Sequence, residues 1–206
     1  MEFYNDSITR TNYDNLVAIE SVDPGPLYFS TPDTFCTSAH GGCRYSDAAF
    51  ATYVDSSYGQ KGRLARTTGL GDNTVDLGGS PYFLVSGGGA ADHGDTVYMM
   101  GAFSGWQQGT IHADAQSTGN SSTCIDLLDF SVNHENTPID LICQTEATYS
   151  SQVGDSGAPI FMWDGSSSHV TIVGIHVAHW GSWAIFSPWT YVSLELGDYM
   201  DLDIGN

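Results

Sequence analysis

Basic residues are scarce in this chain of 206 amino acids, which has a single lysine, Lys61, and only five Lys and Arg residues in all. Asp and Glu number 24, so the formal net charge is −19 at pH 7. A protein with this charge repels phosphate backbones and anionic lipid headgroups. We therefore expect neither nucleic acid nor a membrane surface as a partner.

Long apolar segments are also missing, because no apolar run reaches the roughly 18 residues that a membrane-spanning helix requires. The first residues, Met1 to Asp6, lack the basic and apolar regions of a signal peptide. The overall composition is nevertheless 41% hydrophobic and 12% aromatic, which argues against a disordered chain. The sequence predicts a folded globular protein.

Cysteine is rare, with only four residues in two local pairs, Cys36 with Cys43 and Cys124 with Cys143. Of the three possible connectivities we favour these sequential disulfides, which indicate an oxidising, extracellular compartment. A zinc site is the alternative, but neither pair has the two-residue knuckle spacing. His40, between the first two cysteines, does not complete a usual ligand set. We expect no metal and no cofactor.

Glycine and β-branched residues are plentiful, and they favour short strands joined by turns. Nine strand-like runs are separated by glycine or polar turns, which is typical of antiparallel barrels or sandwiches. The sequence therefore predicts an all-β protein. The predicted strands cover residues 15–21, 48–54, 81–85, 96–102, 109–113, 139–143, 159–163, 170–176 and 183–187.

The tail contains the one convincing helical pattern. Pro188 suits the first turn, and Trp189, Val192 and Leu196 follow at spacings of three and four. Gly197 is placed to cap the end of this helix.

A glycine-rich stretch, residues 78–94, has the composition of a flexible joint between two parts. We predict a partial first β-barrel over residues 1–86 and a second β-barrel over residues 87–206.

One segment, Gly154-Asp155-Ser156-Gly157-Ala158-Pro159, has a pattern suited to acyl transfer. Small residues beside Ser156 let a substrate carbonyl approach its hydroxyl. A tight turn also aims successive backbone N–H groups at the point where an oxyanion develops.

This segment resembles the nucleophile motif of chymotrypsin-like serine proteases, with Ala158 in place of the usual second glycine. The resemblance implies that Ser156 is the nucleophile. The N–H groups of Gly154 and Ser156 would then form the oxyanion hole, and Asp155 would be a structural ion-pair residue.

The surrounding chain resembles the same family, in particular its bacterial streptogrisin-like members. Residues 94–109 are similar to the opening hairpin of their second barrel, and residues 173–176 to the strand that lines the substrate cleft. The end of the chain, 186–197, resembles the C-terminal segment of secreted trypsin-like proteins. The implied fold is a double antiparallel β-barrel with a C-terminal helix, and the implied substrate pocket includes Ser150 and His176.

The triad acid and base are less evident than the nucleophile. Asp47 immediately precedes an apolar run, as the family's acid does, and His40 follows Thr37-Ser38-Ala39, which resembles the motif around the family's base. Six residues between the two leave too little chain for the intervening strands. If His40 is the base, Asp76 is the acid at a suitable separation. We favour Asp47, which implies that the chain begins after the base and is shortened at its N-terminus.

These features predict a secreted serine endopeptidase that acts on peptide or protein substrates through an acyl-enzyme on Ser156. The alternative is a catalytically silent protease-fold protein that binds peptides without cutting them, because no base is identified. The uncharged Ser150 gives no reason to expect cleavage after Arg or Lys. A small or apolar residue is the expected preference.

Overall fold

The computed structural model describes residues 2–4, 16–24, 42–55, 57, 61–113, 124–132 and 138–197. Within these ranges the chain forms thirteen β-strands and one α-helix. In chain order they are β1 (Glu2–Tyr4), β2 (Leu16–Val22), β3 (Cys43–Arg44), β4 (Phe50–Tyr53), β5 (Arg63–Ala65), β6 (Tyr82–Gly88), β7 (Thr96–Gly101), β8 (Gly105–Ala113), β9 (Ile125–Val132), β10 (Pro138–Ala147), β11 (Pro159–Met162), β12 (His169–Trp180), β13 (Trp183–Pro188) and α1 (Trp189–Leu196).

Six strands close into an antiparallel barrel in the C-terminal half. Their order around the barrel is β11, β7, β8, β10, β13 and β12, and the pairing of β12 with β11 completes the ring. Neighbouring strands pair antiparallel at every step. Closure leaves these six strands without a free edge along the ring.

The barrel interior is filled by side chains from alternate positions of its strands. On β7, Val97 and Met99 point inward, whereas Tyr98 between them joins a different cluster outside. This alternation is the two-residue period of a β-strand with one face on the core. The interior cluster comprises Val97, Met99, Ile111, Ala147, Tyr149, Ala158, Ile160, Val173, Ala184 and Phe186.

A second layer covers one outer face of the barrel. β6 pairs parallel with β12, and β5 pairs antiparallel with β6. Phe83 of β6 is fully buried in an aromatic cluster with Trp106 and Phe161, and the Arg66 guanidinium lies 4.8 Å from the Phe83 ring centre. β5 and β6 thus extend the large sheet, and β6 itself runs through residue 86. The division at residue 86 stays a prediction.

The N-terminal part forms a three-stranded antiparallel sheet of β1, β2 and β4. β3 is not part of this sheet. It pairs parallel with β10, so the segment just before Asp47 lies against the C-terminal part of the chain. A disulfide joins Cys124 to Cys143, as the sequence predicts. Cys43 is also disulfide-bonded, and its predicted partner, Cys36, lies outside the described residues.

The predicted C-terminal helix is confirmed as α1. Pro188 precedes it with extended backbone angles, and Gly197 follows it at φ 53°. Val192 and Leu196 are buried and pack against Ala48, which holds the helix against the segment that carries Asp47. The C-terminal helix therefore contacts the segment that carries the candidate acid.

The all-β prediction is confirmed, and each of the nine predicted strands overlaps an observed one. The strands that the pattern missed are β1, β3, β5 and β9. β1, β3 and β5 have three residues or fewer, which is too short for a period of two to be recognised. Within the described ranges, no helix has the length and apolar character needed to cross a membrane.

Candidate active site

Ser156 lies on an exposed turn between β10 and β11. The turn is closed by hydrogen bonds from the Asp155 amide to the Gln152 carbonyl, 3.0 Å, and from the Ala158 amide to the Asp155 carbonyl, 2.9 Å. The Gly157 amide donates to the His176 carbonyl at 2.8 Å, which fastens the turn to β12. The nucleophile candidate is therefore mounted on the rim of the closed barrel.

The two glycines that flank the Asp-Ser pair adopt left-handed backbone angles. Gly154 has φ 100° and Gly157 has φ 87°, a region that disfavours residues with a Cβ atom. The glycine pattern of the motif is thus required by the turn. Neither the Gly154 nor the Ser156 amide donates to an acceptor within the described part of the chain. Both remain available to an anionic oxygen, as the oxyanion-hole prediction requires.

The carboxylate of Asp155 holds the nucleophile turn in place through hydrogen bonds from backbone amides. Its side chain is buried and accepts hydrogen bonds from the amides of Phe103, 2.8 Å, Ser104, 3.1 Å, and Gln152, 2.8 Å. Burial opposes ionisation of Asp155, but the hydrogen bonds from Ser104, Phe103 and Gln152 together outweigh it, and the pKa is lowered. The resemblance implied an ion pair here. Within the described residues the carboxylate accepts hydrogen bonds from backbone amides, two of which come from the loop after β7.

The Ser156 hydroxyl donates a hydrogen bond to the Val177 carbonyl of β12 at 3.2 Å. None of the histidines that the structure describes is hydrogen-bonded to it. His40, the predicted base, lies outside the described residues. The described histidines are His93, His112, His169, His176 and His179.

Asp47 is positioned by the strand pair that also supports Ser156. Its amide donates to Oγ of Ser187 on β13, 3.2 Å. Ser187 pairs with Ile175, which lies two residues before Val177, the acceptor of the Ser156 hydroxyl. The candidate acid and the candidate nucleophile therefore contact adjacent points of one β12–β13 hairpin.

The carboxyl group of Asp47 is partly shielded from water, and this desolvation raises its pKa. The Arg44 charge opposes the rise, and the Asp23 charge adds to it. Asp47 is nevertheless an exposed residue, so its carboxyl group is accessible to a partner.

Asp76, the alternative acid, has a local structural role. Its carboxylate accepts hydrogen bonds from the amides of Gly78, Gly79 and Ser80 at 3.0 to 3.1 Å. These hydrogen bonds, that from Ser80 first, lower its pKa. Asp76 caps a turn between β5 and β6.

The two predicted pocket residues have different surroundings. Ser150 is exposed and lines a cavity of about 480 Å³ beside the nucleophile turn, together with Gln152 and Phe103. His176 is only 3% exposed, and its Nδ1 lies 3.0 Å from the Tyr149 hydroxyl. Burial lowers the pKa of His176 to about 4, so the ring is neutral at pH 7.

Several residues that sequence reasoning missed hold Asp47 in place. The carboxylate of Glu195 on α1 accepts two amide hydrogen bonds from the segment before Asp47, across about 150 residues of sequence. Such distant partners leave no local motif. The others in this network are Arg44, Gln144 and Ser187.

Comparison with known proteins gives a fold but no sequence family. No protein-family profile matches the chain, and no curated protein sequence matches it. Among solved structures, Thermobifida fusca Protease A is 20% identical over 73% of this chain, with a TM-score of 0.47. The chain spans 64% of that protease. Cellulomonas bogoriensis chymotrypsin is 19% identical over 76% of this chain and 70% of its own, with a TM-score of 0.49.

A third solved structure, described as a glutamic acid specific serine protease that utilizes a histidine triad in substrate binding, has a TM-score of 0.51. It is 17% identical over 88% of this chain and 72% of its own. The chain has the two-barrel fold of chymotrypsin-like serine proteases. At this identity the likeness establishes the fold alone, so the activity must be argued from the site.

Proposed function

We propose that the chain is a serine endopeptidase that cleaves peptide bonds through an acyl-enzyme on Ser156, with Asp47 as the triad acid. One observation carries the proposal. Ser156 is exposed between two left-handed glycines and contacts Val177 on β12, whereas the amide of Asp47 contacts Ser187 on β13. The strand partner of Ser187 is Ile175, two residues before Val177. A turn of this kind presents a hydroxyl beside unpaired amides, which is what acyl transfer needs.

In the proposed reaction, Oγ of Ser156 bonds to the carbonyl carbon of the scissile peptide, and its proton passes to an imidazole. The carbonyl electron pair moves to the oxygen, where the amides of Gly154 and Ser156 stabilise the negative charge. Collapse of this intermediate breaks the C–N bond, and the imidazole returns the proton to the leaving amine. Water then hydrolyses the ester by the same steps, while Asp47 orients the imidazole.

The base is proposed to be a histidine, and with Asp47 as the acid it is not identified, because only six residues lie between His40 and Asp47. His40 is the candidate base only in the alternative with Asp76. Asp76 is the acid in the arrangement that pairs it with His40, and it is the weaker choice because its carboxylate is engaged in a turn. The substrate is a peptide or protein, and the compartment is extracellular. Ser150 is proposed to form the base of the primary pocket, and its uncharged side chain favours a small or apolar residue there.

A catalytically silent peptide-binding protein is the second candidate. The observation that favours it is the hydrogen bond from Ser156 to the Val177 carbonyl, in a place where an active triad has an imidazole as acceptor. A cleft of this kind could hold an extended peptide without acylation.

Hydrolysis of a diverse peptide mixture, followed by mass spectrometry, separates the two candidates. The endopeptidase proposal expects new termini that disappear with Ser156→Ala, because loss of the triad nucleophile lowers turnover by about a million-fold. His40→Ala identifies the base if it has the same effect. Saturable peptide binding without any hydrolysis supports the silent protein and contradicts the endopeptidase.

A further inference from the structure

The carboxylate of Glu195 on α1 holds the two residues that precede Asp47. Its Oε1 accepts a hydrogen bond from the Tyr45 amide at 2.5 Å. Its Oε2 accepts one from the Ser46 amide at 3.0 Å and another from the Ser46 hydroxyl at 2.6 Å. The carboxylate thus fixes the backbone on the N-terminal side of Asp47.

Arg44 fixes the other side of the same segment. Its Nη2 donates to the Ala48 carbonyl at 2.8 Å, and its Nη1 pairs with Asp23 at 2.9 Å. Its Nε lies 3.9 Å from Oε2 of Glu195, and the two side chains are only 8% and 9% exposed. Charges this well shielded are weakly screened and hold a defined geometry.

Ser187 on β13 and Gln144 on β10 supply the remaining contacts. Oγ of Ser187 accepts a hydrogen bond from the Asp47 amide at 3.2 Å and donates to Oε1 of Gln144 at 2.7 Å. Nε2 of Gln144 donates to the Tyr45 carbonyl at 2.9 Å. Each residue from Tyr45 to Ala48 therefore has a backbone group held by a side chain.

The carboxylate of Asp47 is the exception in this segment. It accepts no hydrogen bond from any residue that the structure describes, and Asp47 is an exposed residue. A fixed backbone that carries an exposed carboxylate, unengaged by any described residue, leaves that carboxylate accessible to a partner.

We propose that Glu195 is a positioning residue for Asp47, acting through Tyr45, Ser46 and Arg44 to hold its backbone against Ser187 of β13. The inference rests on the proposed function in one respect, that Asp47 is the acid that orients the base. Displacement of a catalytic group by about 1 Å lowers turnover by about 100-fold, so a device that fixes Asp47 acts on kcat.

The first test compares Glu195→Gln with Leu194→Gln, a control on the same helix whose side chain is 64% exposed. The carboxyl carbon of Asp47 is titrated by NMR in the full chain, a measurement that needs no activity. In Glu195→Gln the segment loosens and the carboxyl gains water, so its raised pKa falls toward 3.8. Leu194→Gln leaves the pKa where it is. An unchanged Asp47 pKa in folded Glu195→Gln overturns the proposal.

The second test uses peptide hydrolysis. We expect kcat to fall between 10-fold and about 100-fold in Glu195→Gln, with KM within about twofold of the parent value. If the parent chain shows no hydrolysis, the endopeptidase proposal fails, and the NMR titration still decides whether Glu195 positions Asp47. If the parent is active and the variant has the same kcat, Glu195 has only a structural role.

A third variant covers the case in which Glu195→Gln does not fold. Ser46→Ala removes only the 2.6 Å hydroxyl contact to Oε2 and leaves the charges in place. We expect a smaller fall in the Asp47 pKa, in the same direction. A folded Ser46→Ala variant with the parent's Asp47 titration overturns the proposal.

Discussion

The ring of Phe103 lies directly against Gly154, the first residue of the nucleophile turn. A Cβ atom at position 154 would lie 2.4 Å from Cε2 of Phe103. Gly154 also has φ 100°, so both the backbone angle and the neighbouring ring exclude a larger residue. The amide proposed for the oxyanion hole is therefore locked between the turn and the loop after β7.

Gly154→Ala is expected to destabilise the fold by roughly 2–5 kcal/mol, because left-handed strain adds to an overpacking contact. It should also abolish reaction of Ser156 with acylating reagents. The matched control is Gly165→Ala, at φ 82° with no atom within 4 Å of the added Cβ. That variant has the strain alone and should lose roughly 1–2 kcal/mol. Equal losses in chemical denaturation of the two variants would show that the Phe103 contact has no effect.

Asp155→Asn is expected to loosen the nucleophile turn. An amide keeps only one acceptor oxygen where the carboxylate accepts from Phe103, Ser104 and Gln152, and its NH₂ group faces a donor. We expect a loss of roughly 2–4 kcal/mol in denaturant-induced unfolding. Asp164→Asn, which removes an exposed carboxylate from a serine turn, is the control and should have a much smaller effect. A comparable loss in both variants contradicts the anchoring role of Asp155.

His176 predicts a pH dependence of stability. Burial lowers its pKa from 6.5 in the unfolded chain to about 4 in the folded protein. The unfolded state therefore binds more protons between these values, and stability falls as the pH drops from 6.5 to 4. The expected contribution is about 3 kcal/mol. His176→Gln should remove this part of the pH dependence. Parallel stability curves for parent and variant would contradict a buried neutral imidazole.

The two candidate acids predict opposite stability effects. Because the folded pKa of Asp47 is raised, its ionised form costs stability as the pH rises through that value, so Asp47→Asn is expected to be more stable at pH 7. Hydrolysis should fall by about 10⁴-fold, since the amide favours the wrong imidazole tautomer. Asp76→Asn, with a lowered parent pKa, should lose stability and keep its activity. The reverse activity pattern assigns the acid to Asp76.

Much of the fold could be predicted from local patterns. The tail helix followed from Pro188, the spacing of Val192 and Leu196, and Gly197, because each acts within a few residues. The nucleophile turn was equally local. Strands such as β5 could not be found, since three residues carry no recognisable period.

The surroundings of Asp47 could not be predicted. Glu195 lies 149 residues from Ser46, and Gln144 lies 99 residues from Tyr45, so their contacts depend on how the barrel closes. Two of the three amide partners of Asp155 come from a loop about 50 residues earlier, and no local motif indicates them. The local motif predicts the nucleophile candidate, and only the tertiary structure shows which residues hold its turn in place.

Reaction of Ser156 with a fluorophosphonate tests the central claim most directly, because phosphonylation requires an activated hydroxyl beside oxyanion donors. The reagent is incubated with the full chain and with Ser156→Ala, and the modified residue is located by tandem mass spectrometry. We predict stoichiometric modification of Ser156, slowed in Asp47→Asn, and no modification of Ser156→Ala. An unmodified Ser156 in the folded parent chain, or modification no faster than that of the exposed Ser150, would contradict the account.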